Sequence, residues 1–529
     1  MALVLIACLA PPFALLCHVL WGAGSGTGAG FLLEERHGQL FLRSLLVAVT
    51  ATLLALAWGF PTGLAISRLR HPLGAILEWA SYLPLLLPPM VTVLGWIYFL
   101  GRAGLANRFL QTVLNLSGPP INLYTPLGAG FVLSLIYFPC VSVLCAQGFR
   151  SVPEESIRAA TLVASPALRL GSIWRPLLAP HVATACLLVF LLSFTDFSVP
   201  SALTVNVYPV EIHAQLCSGP AEGPARAALL ALPPLLLAVA LCIARHALVR
   251  SSPFPSPGMK SRIASRCPRA ALVVSLAAIF CATVVPLVFL AITAGSPEAY
   301  VRALRTAGDQ VLTSLQVASW ATPLLLLLAV AFAAAFRASG ATLRVWAEAL
   351  VLLPLVIPGA AVGLGILYLE SHGVPPWSWV YPHPAVVAYA AACRFLPFPA
   401  LILAGASISV ERSILRAGSI CGAGPWRISF RLVLPLILPA FLAAAVLSFV
   451  LSLGELSAAV LVTPPGVMTL PVRLASLLHF GEEAVVAALC LMVSGFVVGL
   501  LCLFFLLTNR PLRVKLNPAE GFAAPGDAR

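Results

Sequence analysis

The feature that most constrains this chain is a series of long stretches almost free of charge. They run from Met1 to about Leu20 and over 43–66, 76–100, 126–148, 181–204 and 227–247. The series resumes over 270–293, 310–336, 346–369, 385–407, 437–460 and 484–507. About 20 apolar residues suffice to cross a bilayer as a helix, and a helix satisfies its own backbone where no water can. Composition agrees: 60% of the 529 residues are hydrophobic and 9% are charged, against about 25% charged in a soluble domain. The chain is therefore expected to be an all-α polytopic membrane protein of about twelve transmembrane helices. The first stretch has no basic segment ahead of it and reads as a helix rather than a signal peptide. The net charge of +13 does not point to nucleic acid, because the arginines are dispersed among apolar spans rather than gathered on one face. The 13 cysteines lie mostly inside those spans (Cys140, Cys145, Cys186, Cys242, Cys490, Cys502) and form no Cys-x-x-Cys motif. They read as small apolar packing residues, not as a metal site or disulfide framework.

The chain repeats itself. LPLLLPPMVTVLGWIY (Leu83–Tyr98) aligns with LPLVIPGAAVGLGILY (Leu353–Tyr368), and Glu78 recurs as Glu348 at the same distance ahead. LSFTDFS (Leu192–Ser198) aligns with LSLGELS (Leu451–Ser457), so Asp196 pairs with Glu455. This predicts a first half over 1–248, a Ser/Pro-rich cytoplasmic linker over 249–269, a second half over 270–509 and a cytoplasmic tail over 510–529. An even number of spans per half makes the two six-helix halves parallel, related by a pseudo-two-fold along the membrane normal. Basic residues concentrate in the segments this topology places inside: Arg68 and Arg70, Arg150–Arg175, Arg245–Arg269, Arg337 and Arg344, Arg412–Arg431 and Arg510–Lys515. That is the positive-inside pattern with both termini cytoplasmic.

Carboxylates inside spans cost about 2.5–3.5 kcal/mol on insertion scales. Two readings of Asp196 and Glu455 stay open. Either they line the route and make transient contacts with a passing cation, or they are structural and bonded to neighbours such as Ser193 or Ser452. Glu78 and Glu348 read as carboxylates near the positive ends of their helices. Pro88-Pro89 and Pro358-Gly359 interrupt corresponding spans, a pattern that points to a translocation site or, for either one alone, to a packing kink. Trp96, Tyr98 and Tyr368 read as an interfacial belt. No phosphate-binding G-x-x-x-x-G-K-[ST] loop and no metal-protease motif occurs, so this chain is not an ATPase.

One cytoplasmic stretch carries a family resemblance. Ser409–Ala440 reads SVERSILRAGSICGAGPWRISFRLVLPLILPA, a helix, a Gly-rich turn and a second helix. It resembles the EAA loop of binding-protein-dependent ABC importer permeases: Glu-Ala-Ala, three residues, Gly, nine residues, Ile, any residue, Leu-Pro. Here the spacing is kept by Arg416-Ala417-Gly418, Gly422, Leu432 and Leu434-Pro435, with Arg in place of Glu and Gly in place of the second Ala. A weaker copy, Ser151–Pro180, has Arg158-Ala159-Ala160 and ends at Ile173–Pro176, without the Gly. Two permease halves in one chain resemble the fused ferric-iron importers, with thiamine and aminoethylphosphonate importers as near relatives. The resemblance implies a multi-pass bacterial inner-membrane subunit with no cofactor of its own. Its partners would be membrane lipid, two ATPase subunits that carry the ATP and contact both loops, and a periplasmic or lipid-anchored binding protein. A secondary transporter of two six-helix halves and a non-transporting scaffold are the competing classes.

Overall fold

A computed structural model describes residues 2–22, 34–70, 72–151, 174–216, 218, 223–250, 267–424 and 427–508. Among them all regular structure is helical. The first half contains α1 (Ala2–Gly22), α2 (Glu35–Arg68), α3 (Leu73–Leu86), α4 (Pro89–Leu100), α5 (Leu105–Leu114), α6 (Pro126–Arg150), α7 (Arg175–Phe194), α8 (Ser198–Ala202), α9 (Tyr208–Leu216) and α10 (Gly223–Arg250). The second half opens with α11 (Arg269–Ile279) and α12 (Val285–Ala294), one span joined by a π turn, and continues with α13 (Pro297–Ala338), α14 (Ala341–Val356), α15 (Gly359–Ser371) and α16 (Trp377–Val380). It ends with α17 (Ala385–Phe395), α18 (Pro397–Ser409), α19 (Arg412–Ile420), α20 (Leu434–Leu453), α21 (Ala459–Val462), α22 (Leu470–Phe480) and α23 (Glu483–Thr508). Among the described residues eight helical segments are long and apolar enough to cross a membrane, one of them α4 and α5 taken together, and ten when the bent pairs α14–α15 and α17–α18 each count as one span. The other two expected spans correspond to α1 and α10. The linker lies almost wholly, and the tail wholly, outside the described residues.

Many helices carry proline at their first or second position, including α4, α6, α7, α13, α18, α20 and α22. A first-turn proline loses no hydrogen bond and presets φ. Deeper in a span the same residue breaks the helix, because the residue before it is forced into extended geometry. Leu87 (φ −75°, ψ 135°) and Ile357 (φ −78°, ψ 122°) do this ahead of Pro88 and Pro358, whose dihedrals are identical at φ −53°, ψ 136°. The spans expected over 76–100 and 346–369 are therefore each two helices, and α14 and α15 meet at 85°.

The halves exchange their opening helices. A Cβ on Gly95 in α4 would fall 2.4 Å from Pro286 Cα in α12, and one on Gly365 in α15 would strike the Pro11 carbonyl in α1. Gly95 and Gly365 are equivalent residues, so each broken span packs tightly against the first span of the other half. The repeat extends to hydrogen bonds: the Tyr208 amide donates to Ser44 Oγ, and the Leu470 amide to Ser314 Oγ, both at 2.7 Å. α6 is apolar on all sides and buried on all sides, as a helix at the centre of a bundle must be.

Three sequence expectations need correction. The spans expected over 181–204 and 437–460 are not continuous: α7 ends at Phe194 and α20 at Leu453. Trp96 is not at an interface but buried against Phe99 and Phe131, because the break at Pro88 turns α4 into the core. Glu78 lies beyond the first turn of α3. Instead of capping a dipole it pairs with Arg150 at 2.8 Å and accepts from Tyr82 Oη at 2.8 Å. Glu348 likewise lies beyond the first turn of α14.

Candidate functional site

Asp196 and Glu455 stand in the short gaps that follow α7 and α20. Each turns back to cap the next segment: Asp196 Oδ1 accepts from the Val199 amide at 2.9 Å, and Glu455 Oε1 from the Ala458 amide at 2.8 Å. An aspartate accepting an amide three residues on is a common way to start a helix, and the Asp196 bond falls inside α8; Glu455 makes the same bond just ahead of α21. Their other bonds come from equivalent helices. Tyr137 Oη in α6 donates to Asp196 Oδ2 at 3.1 Å. Arg394 Nη1 in α17 reaches Glu455 Oε1 at 2.9 Å and Oε2 at 2.8 Å. Ser457 Oγ donates to Glu455 Oε1 at 3.0 Å and also contacts Arg394 Nη1. Ser193 and Ser452, the partners expected from sequence, bond neither carboxylate; their hydroxyls lack a hydrogen-bond partner.

Both carboxylates, Tyr137 and Arg394 line one cavity of about 60 Å³, walled by Pro88, Pro89, Leu451 and Gly454 among others. It has room for a few waters and is far smaller than the roughly 300–1,000 Å³ of a pocket that encloses an organic ligand. In this conformation the two halves close on the cluster. The wall is polar only where the charged side chains enter it, and a guanidinium sits with the carboxylates, so it is not a purely negative ring. Thr195 Oγ1 reaches across to the Leu355 carbonyl at 3.3 Å, near the α14–α15 break. Carbonyls near such a break need a partner of this kind in a bilayer. Gly359 belongs to the same cluster: a Cβ there would collide with Ser457 Oγ and lie 3.0 Å from Arg394 Nη1. Pro358 does not join it. It borders a separate apolar cavity between α1, α10 and α14. Among the described residues no group of three or more His, Cys, Asp or Glu side chains could hold a metal ion.

The second loop projects from the bundle. α19 closes with paired backbone bonds, from the Gly422 amide to the Ser419 carbonyl and from the Ala423 amide to the Gly418 carbonyl, both 3.0 Å. This is a Schellman ending with Gly422 in the left-handed position, at φ +74°. Space is open around Gly422, so a side chain there is opposed by backbone strain and not by a clash. Gly418 packs within reach of Leu432 and Ile428, where a Cβ would approach Leu432 Cδ1 to 2.8 Å. That contact folds the two arms of the loop together, and Leu434-Pro435 opens α20. Arg416, Ala417 and Gly422 are exposed. Arg158, Ala159 and Ala160 of the first loop lie outside the described residues; Pro176 is the second residue of α7.

Residues 288–510 match the model of the binding-protein-dependent transport system inner membrane component. A permease of Salmonella typhi named for 2-aminoethylphosphonate transport, PhnV, is 34% identical over 198 residues, covering 37% of this chain and 73% of that protein. The chain belongs to this permease family. The ferric transport system permease FbpB of Actinobacillus pleuropneumoniae is 30% identical over 178 residues, 33% of this chain and 25% of that one. The molybdenum transport system permease ModB of Mycobacterium tuberculosis is 29% identical over 204 residues, 34% and 69% of the two chains.

As a member of this family the protein is a multi-pass inner-membrane transport subunit. The matched residues include the α19 loop, Arg394 and Glu455; the first half is tied to them by the repeat and its paired contacts. Sequence reasoning passed over Arg394 and Tyr137. Arg394 had a signal, being the sole charge within the span 385–407, and an ionisable residue inside a span deserves a partner. Tyr137 had none, since a tyrosine in an apolar helix is ordinary packing until its hydroxyl is placed.

Proposed function

We propose that this permease serves an ATP-driven importer whose cargo passes between the two halves at Asp196, Arg394 and Glu455. The supporting observation is that carboxylates from different halves line one cavity at the breaks of four spans. The α19 loop and its counterpart around Arg158–Ala160 receive two separate ATPase subunits, which hold and hydrolyse the ATP. A helix that moves with a docked partner carries the motion rigidly, and α20 runs from this loop to Glu455. A periplasmic or lipid-anchored binding protein delivers cargo on the other side, and both termini are cytoplasmic. This arrangement does not require an ion gradient, which separates it from a secondary transporter.

Ferric iron is the first reading of the cargo. It rests on the resemblance to fused ferric permeases, the ferric relative, and carboxylates suited to a hard cation. 2-Aminoethylphosphonate is the second, favoured by the PhnV relative and by Arg394, since a guanidinium matches phosphonate oxygens. The test is uptake into vesicles holding the permease with its own ATPase and binding protein. ATP-dependent accumulation of labelled ferric iron, and not of 2-aminoethylphosphonate, is expected. The reverse outcome overturns the iron reading, and accumulation of neither overturns both.

A further inference from the structure

We infer that arginines at the roots of the two cytoplasmic loops tie those loops to the first helices of the broken spans, α3 and α14, and pass ATPase movement to them, a role that rests on the loops receiving the ATPase subunits. In the first half Arg150, the last residue of α6, stands where the chain enters its loop. Its Nη2 donates to Glu78 Oε2 at 2.8 Å and its Nη1 to Glu78 Oε1 at 3.3 Å, a two-pronged bond that fixes direction as well as distance. Glu78 belongs to α3, where Tyr82 Oη, one turn on, donates to the same carboxylate at 2.8 Å. Where the loop returns, the guanidinium of Arg68, the last residue of α2, lies 5.7 Å from the ring centre of Trp174. In the second half Val410 stands where the chain enters its loop, and Arg337 Nη2 in the last turn of α13 donates to the Val410 carbonyl at 2.9 Å. Arg344, near the start of α14, donates in turn to the carbonyls of Phe336 at 3.0 Å and Arg337 at 2.7 Å. Last-turn carbonyls have no partner within their helix and favour a cation.

Both halves thus join the root of a loop to the start of a broken span, by different bonds. The first does so directly, through Arg150 and Glu78, and the second through the end of α13. Helix capping accounts for the Arg344 bonds alone. It does not account for Glu78, which lies beyond the first turn of α3, or for Arg337, whose guanidinium leaves its own helix for a carbonyl at the loop. Each tied helix is a rigid lever of 14 or 16 residues, about 20–25 Å long. The far end of α3 runs into Leu87 and Pro88 on the central cavity. The far end of α14 carries the Leu355 carbonyl that Thr195 reaches, just ahead of the break at Pro358. Beyond the breaks, α4 and α15 are packed tightly against α12 and α1 at Gly95 and Gly365. A hinge lets one arm turn while the other keeps its packing, so a pull on either loop moves the cytoplasmic arm of a break and with it the surroundings of the charged cluster.

The experiment measures that movement in the full permease, assembled with its ATPase subunits in lipid vesicles. Leu73 in α3 and Leu343 in α14 are equivalent in the repeat and exposed; each is replaced by p-azidophenylalanine and spin-labelled. The distance between the labels is read by pulsed electron paramagnetic resonance without nucleotide and with ATP trapped by vanadate. The parent is expected to change distance on trapping. Arg150→Gln is expected to melt and trap nucleotide like the parent, because a pair with side chains 43% and 26% exposed contributes little stability, yet to show less than half of the parent's change. Arg337→Gln is expected to start from the parent's nucleotide-free distance and to lose as much of the change. Glu78→Arg combined with Arg150→Glu remakes the pair with its charges exchanged and is expected to restore the movement. A full change in either arginine variant would overturn the tie of that half. A lower melting temperature for Arg150→Gln, a different nucleotide-free distance in either variant, or a charge exchange that does not restore the change would make the ties structural and also overturn the proposal. No change in the parent would overturn the reading of the loops themselves, an outcome distinct from these.

Discussion

Asp196 and Glu455 occupy equivalent places in the two halves, yet one is held by a phenol and the other by a guanidinium. Tyr137 supplies a single neutral donor at 3.1 Å. Arg394 supplies a charge, with its side chain 12% exposed and that of Glu455 1%. The repeat thus keeps the position of each carboxylate and each partner while changing the chemistry of one side. The neighbouring residue follows from this. Pro89 stands where the first half has Tyr137, whereas its equivalent is Gly359, because Arg394 and Ser457 press into the space a Cβ would need. Symmetry in such a chain belongs to the backbone, and the difference between halves belongs to the charges.

That difference ranks the expected effects of substitution. Arg394→Met leaves Glu455 buried without its counter-charge and should cost about 3–5 kcal/mol, read as a large fall in thermal midpoint and in assembled protein. Replacing both residues by methionine should recover most of the loss, because a buried pair returns little net energy. If the single variant melts like the parent, the guanidinium does not hold Glu455 and the two halves are alike after all. Gly359→Ala should cost about 1–3 kcal/mol through overpacking, while Pro89→Ala, which only removes atoms, should cost less. Equal melting of the two variants would remove the steric half of the comparison. Tyr137→Phe removes one hydrogen bond and should cost about 1 kcal/mol, the smallest shift of the series.

Much of the frame was legible in the sequence because the bilayer admits few solutions. Apolar length located the spans, and a proline at the same point in both repeats located the breaks. The ends of α7 and α20 were not legible. Neither Phe194–Phe197 nor Leu453–Leu456 contains a proline, and the bond that each carboxylate accepts from the amide three residues on is visible only in the structure. The partners of the carboxylates were hidden for a different reason. Tyr137 and Arg394 lie 59 and 61 residues away, on helices whose rotation only packing decides. In the loop, the Gly422 spacing announced a turn, whereas the packing of Gly418 on Leu432 needed coordinates.

The central claim is that cargo passes the charged cluster between the halves, and Asp196→Asn tests it most directly. The asparagine keeps an oxygen for the Val199 amide and a partner for Tyr137, so the helix cap survives and only the charge is lost. Uptake is measured in vesicles with the ATPase and binding protein, beside assembled protein and bound ATPase as controls. The account predicts that the variant assembles and holds its ATPase normally while uptake falls at least tenfold, a loss equivalent to about 1.4 kcal/mol on the transport barrier. Uptake at the parent rate would contradict it and make Asp196 a helix cap with no part in the route.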